Sequence, residues 1–186
     1  MRKNVLIAAA TICLLSACSE QAVENQAESA ATNNATATPA ATEKSAPPPA
    51  PATKEEALKI MHDRHEGMEK IGKATKAIGA QLKEENPNIG TIRTNAATIN
   101  DLAAESENWF PNGTGPDVGK TRAKAEIWQK YDDFAAKDRD FRVAAQALKG
   151  SADSADVNGI KPAFAALGKA CKACHDQYRA EEKKHD

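Results

Sequence analysis

The chain has 186 residues, 25 Lys+Arg against 26 Asp+Glu, and a formal net charge of −1 at pH 7. Residues 54–186 hold 22 charges of each sign, so nothing electrostatic favours nucleic acid or an anionic membrane surface as their partner. Those 133 residues suffice for one core and fall short of two ordinary domains.

The first element is a leader. Met1-Arg2-Lys3-Asn4 precedes an apolar run from Val5 to Ala17, the pattern of a secretion signal and too short for a mature membrane span. The run ends in Leu15-Ser16-Ala17-Cys18, which resembles the bacterial lipobox. That resemblance implies cleavage of residues 1–17 and lipidation of Cys18. With Ser19 following, it implies an anchor in the outer membrane of a bacterial cell envelope, with the domain facing the periplasm. Residues 18–53 then form a tether: positions 19–53 hold eleven Ala, five Thr and five Pro, with Val23 the only larger aliphatic. Such a segment buries too little apolar surface to offset its ordering entropy, and is expected to be disordered.

Four helical patterns follow. Leu58, Met61, His65, Met68, Gly72, Thr75, Gly79 and Leu82 recur in steps of three and four, with Ile71 and Ile78 alongside. Asn86-Pro87 punctuates, and a second stripe runs Ile89, Ile92, Ala96, Ile99, Leu102, Trp109. Prolines and glycines between Pro111 and Gly119 mark a loop. The third stripe is Ile127, Tyr131, Phe134, Phe141, Ala145 and Leu148, ending at Gly150. The fourth is Ile160, Phe164, Leu167, Cys171, Cys174 and Tyr178. With short connections and no convincing alternation of period two, the expected fold is all-α, an antiparallel four-helix bundle over residues 54–186.

The last stripe contains Cys171-Lys172-Ala173-Cys174-His175, the spacing for covalent attachment of a c-type haem. Thiols three apart share a helix face and can meet the two vinyl groups on one haem edge, while His175 supplies a proximal iron ligand. A thioredoxin-like pair would need a βαβ context, and a zinc site would need two further ligands. One haem c, held through Cys171 and Cys174, is the expected cofactor.

Residues 54–186 resemble the cytochrome c-prime family. The likeness rests on Arg64-x-x-x-Met68-x-x-x-Gly72, on Trp109-Phe110-Pro111-Asn112-Gly113, on Thr121-Arg122-Ala123 with Glu126-Ile127-Trp128, and on the terminal Cys171-x-x-Cys174-His175-x-x-Tyr178-Arg179. It implies the same bundle, with the position of Met68 on the distal side of the haem. Many members carry Leu, Phe or Tyr there and bind nitric oxide or carbon monoxide at five-coordinate iron; a low-spin branch carries methionine as sixth ligand. The resemblance also implies that Arg64 approaches a haem propionate and that Arg179 lies on the proximal face near His175.

Met68 makes six-coordinate His/Met iron the leading expectation: a monohaem electron carrier that exchanges electrons with redox partner proteins and does no bond-making chemistry of its own. The alternative is a five-coordinate protein binding nitric oxide or carbon monoxide. Met61, His62 and His65 are lesser candidates for the sixth ligand. Trp109, Trp128 and Phe134 are expected to pack, and a homodimer is left open.

Overall fold

Thr53 opens the first helix. Its hydroxyl accepts the N–H of Glu56 and the Glu56 carboxylate accepts the N–H of Thr53, so donors that a helix start leaves unpaired are satisfied. In the computed structural model, which describes residues 45–181, α1 then spans Lys54–Gln81. Asn88 caps α2 (Ile89–Glu105) by accepting the Thr91 N–H at 2.9 Å, so that helix begins past Pro87 rather than on it. A 3₁₀ turn, Ser106–Asn108, leaves Trp109 just outside the helix.

The third stripe spans two elements. The short α3 (Glu126–Gln129) is separated from α4 (Tyr131–Asp153) by Lys130, whose φ of −128° and ψ of 47° interrupt the helix. Helix α4 continues through Gly150 and stops where Ala155 adopts a φ of 56°, a left-handed conformation that ends a helix even without glycine. Asp156 then caps α5 (Val157–Tyr178).

Paired residues give the directions. Gly67 meets Trp109 at one end of the α1–α2 pair, and Gln81 meets Asn88 at the other. Ser106 meets Asp138 while Arg93 meets Asp153, and Asp133 meets Tyr178 while Ser151 lies beside Gly159. Each helix therefore runs against the one before it. The fold is the expected antiparallel four-helix bundle of α1, α2, α4 and α5, all-α and without a strand among the described residues. Its centre holds Ile78, Ile92, Ile99, Leu148, Ile160 and Leu167, all fully buried. Among the described residues no helix is long and apolar enough to cross a membrane.

The buried face of α1 lies one residue away from the stripe read in the sequence. It consists of Ala57, Met61, Arg64, Gly67, Ile71, Ala74 and Ile78. Leu58, His65 and Gly72 are exposed, while Met68, Thr75, Gly79 and Leu82 lie half-buried on its shoulder. An arginine and three small residues make up most of that face, so hydrophobicity pointed beside it.

Residues 45–53, expected to belong to the tether, run without helix alongside the 111–118 loop. Asn112 donates its N–H to the Pro48 carbonyl at 3.0 Å, and Ala50 lies beside Gly113. Prolines suit such a docked segment, having little backbone freedom to lose. The signal, Cys18 and the rest of the tether lie outside the described residues.

Candidate cofactor site between the first and last helices

Helices α1 and α5 approach each other far less than the other neighbouring pairs. They touch where the Phe164 ring comes within 3.4 Å of where a Gly79 Cβ would stand. Met68 lies eleven residues before Gly79, and His175 lies eleven after Phe164. Eleven residues make three helical turns, roughly 16 Å. Each residue thus shares its helix face with the contact residue, and because the helices are antiparallel the two stand at about the same height across the seam.

One side of the seam is built by α5. Cys171, Cys174 and His175 are half-buried on its last turns, and both cysteines, joined in no disulfide, pack against the core cluster. Burial raises the Cys171 thiol and pushes Cys174 up to about 11, with the charge of Asp138 adding to the latter. Both are neutral thiols at pH 7. His175 is held below its usual value by burial, then by the charges of Arg179 and Arg122. A neutral imidazole is the form that binds a metal. Among the described residues no group of three or more His, Cys, Asp or Glu is placed to hold a metal ion, so the zinc alternative has no ligand set there.

The chain after α5 is clasped to the loop before α3. Lys124 donates its N–H to the Tyr178 carbonyl at 2.9 Å, Ala180 donates to the Arg122 carbonyl at 2.8 Å, and Arg122 Nε returns to the Ala180 carbonyl at 2.9 Å. Arg179 is exposed, and its N–H caps α5 on the His175 carbonyl at 3.1 Å. The clasp thus holds Arg122 and Arg179 beside the histidine. The sequence contained Arg122 within a matching segment but offered no reason to give it a role.

On the other side Arg64 is buried, 4% exposed. Its Nη1 donates to the Trp109 carbonyl at 3.1 Å, and its Nη2 donates to the Thr114 carbonyl at 3.2 Å and to Thr121 Oγ1 at 3.1 Å. The guanidinium lies 4.8 Å from the Phe110 ring centroid. No carboxylate among the described residues pairs with it, and burial lowers its pKa to about 10. Arg64 therefore holds the loop from Trp109 to Thr121 against α1, a role the spacing in the sequence did not disclose.

The remaining candidates separate clearly. Met68 is half-buried against the core cluster, whereas Met61 packs under Gly119 of the loop. His62 and His65 are exposed, and His65 Nε2 lies 3.4 Å from Glu69. Trp109 and Phe134 are buried in the core as expected, and Trp128 Nε1 donates to the Pro111 carbonyl at 2.9 Å.

A profile of cytochrome c' matches residues 59–179, from within α1 to Arg179 just after α5. The chain belongs to the cytochrome c' family. It is 34% identical over 116 residues to cytochrome c' of Pararhodospirillum photometricum, covering 62% of this chain and 92% of that protein. The crystal structure of cytochrome c' from Thermochromatium tepidum superposes with a TM-score of 0.63 at 33% identity, covering 71% of this chain and all of that one. A nitric oxide complex of a cytochrome c' variant from Alcaligenes xylosoxidans superposes with a TM-score of 0.56 at 27% identity, covering 72% and 100%. As a cytochrome c', the chain carries one covalently attached c-type haem. Two neutral thiols a turn apart, beside a neutral imidazole on a sparsely packed seam, fit that group.

Proposed function

We propose that this protein binds a small diatomic gas, nitric oxide or carbon monoxide, at the distal face of its haem. Cys171 and Cys174 would hold the haem edge, His175 would supply the proximal ligand, and the side of Met68 would be left for the gas. The observation that carries this reading is membership of the cytochrome c' family, supported by the likeness to a structure solved as a nitric oxide complex. Bound haem supplies an iron that takes the gas. The chain's own residues set access to it and the charge around it.

Arg64 is proposed to face a haem propionate. Among the described residues this buried guanidinium is held by neutral acceptors and has no counter-charge, which a propionate carboxylate would provide. Arg179, with Arg122 beside it, is proposed to tune the proximal imidazole. Lipidation at Cys18, export to the periplasm and an outer-membrane anchor complete the proposal, resting on the sequence of residues 1–18.

A second reading is favoured by Met68 itself. Its half-buried thioether stands level with His175 across the seam, which suits a permanent sixth ligand and an electron carrier serving redox partner proteins. Optical spectra of the ferrous holoprotein, before and after adding carbon monoxide, separate the two. A broad high-spin spectrum that shifts with the gas supports gas binding. Sharp, split bands indifferent to the gas would overturn it and make Met68 the ligand.

A further inference from the structure

Asp138 lies on α4 and is 8% exposed. Ser106 Oγ stands 2.5 Å from Asp138 Oδ1 and 2.8 Å from the Ala103 carbonyl oxygen. A serine hydroxyl has one hydrogen, and an ionised Asp138 would set it between two acceptors. One contact would then be a hydrogen bond and the other would hold two buried oxygens against each other without a proton. A proton on Asp138 resolves the count: its carboxyl donates to Ser106 Oγ, and Ser106 donates to Ala103.

The surroundings agree. Arg142 Nε lies 3.0 Å from Asp138 Oδ2 but is oriented so that it makes no hydrogen bond, and Arg142 Nη1 turns to Glu107 at 2.9 Å. Burial foremost, and then the charge of Glu107 from the 3₁₀ turn, raise the carboxyl's pKa; they outweigh Arg142 and a hydrogen bond from Ser106, which would favour the ionised form. Tyr131 on α4 and Cys174 on α5 both feel the Asp138 charge. A cavity beside Asp138 is lined also by Arg139 of α4, a second cation, while Ser45, Ala46 and Pro48 on its remaining side bring no charge.

We propose that Asp138 is a proton-binding site linked to the redox state of the haem. As the iron takes one electron from a one-electron donor and passes from ferric to ferrous, the Asp138 carboxylate takes one proton from water and forms one O–H bond; on oxidation the proton leaves. The link is the charge at Cys174: removing a negative charge beside the haem-bearing cysteine favours the arriving electron. The inference rests on haem attachment at Cys174 and is independent of what occupies the distal face.

The test is the midpoint potential of the full-chain holoprotein as a function of pH, with reduced-minus-oxidised infrared difference spectra. In wild type the reduction equilibrium constant should fall with rising pH above the ordinary carboxylate range, approaching tenfold per unit. A protonated-carboxyl stretch should appear on reduction. Asp138→Asn should lose that segment and that band while keeping its haem absorbance. Ser106→Ala, which removes the oxygen that accepts the proposed proton, should move the segment to lower pH. A segment and band that persist in Asp138→Asn, or a Ser106→Ala segment that stays or moves up, would overturn the proposal. The carbon monoxide response reads the distal face separately, so failure of one reading is distinguishable from failure of the other.

Discussion

The indole of Trp109 lies directly on the backbone of α1 at Gly67, where a Cβ would stand 2.5 Å from Cη2. The same tryptophan's carbonyl accepts from Arg64, one turn earlier on α1, so the ring and the loop behind it are seated together. Gly67→Ala should therefore be net destabilising. Overpacking costs about 1–3 kcal/mol, against a gain of about 1 kcal/mol in helix propensity. Urea unfolding would show a lower midpoint with an unchanged slope; a raised midpoint would mean the indole yields freely.

Arg64→Leu removes the donors that hold the Trp109, Thr114 and Thr121 oxygens. Buried hydrogen bonds to a charged group are worth more than neutral ones, and the abandoned carbonyls lose their partners, so a loss of about 3 kcal/mol is expected. A loss below about 1 kcal/mol in equilibrium unfolding would show that the loop is held by other contacts.

Met68→Ala tests the proposed distal position of Met68. If Met68 shields the iron or binds it, clearing the side chain should speed carbon monoxide association by about tenfold or more, a barrier change of about 1.4 kcal/mol. Stopped-flow mixing of the ferrous protein with the gas measures this. An unchanged rate together with an unchanged spectrum would place Met68 away from the iron.

Tyr178 donates its hydroxyl to Asp133 at 2.6 Å and so ties the end of α5 to α4. That hydrogen bond is the main reason the Asp133 carboxyl lies below its usual pKa. A depressed carboxylate contributes stability above its unfolded pKa and loses it as pH falls through the folded value. Tyr178→Phe should cost about 1 kcal/mol or less at pH 7, since a single hydrogen bond contributes little more. Its gap from wild type should close below roughly pH 4, the ordinary carboxylate pKa. Thermal unfolding across pH 2–7 measures the gap, and one that stays constant in acid would refute the assignment.

The sequence by itself determined the class of fold and the chemistry of one face of α5. Period-3.6 stripes at Ile92–Ile99 and Ile160–Leu167 specify buried helix faces because burying such side chains is the dominant driving force, and it needs no knowledge of partners. Cys171 and Cys174 were legible because haem attachment requires them within a single helical turn or so of one another, and His175, the proposed proximal ligand, follows directly. The face of α1 was read one residue away, because Arg64 and Gly67 are buried for reasons set by the 109–121 loop rather than by hydrophobicity. Asp138 was invisible in the charged run Lys137-Asp138-Arg139-Asp140. Only the packing of α4 against Ser106 and Glu107 buries that one carboxylate, and it also brings its charge to Cys174, 36 positions on. Local spacing fixes what a helix can do alone; contacts between residues distant in the chain, such as the level placing of Met68 and His175, depend on register between helices, which tertiary packing decides.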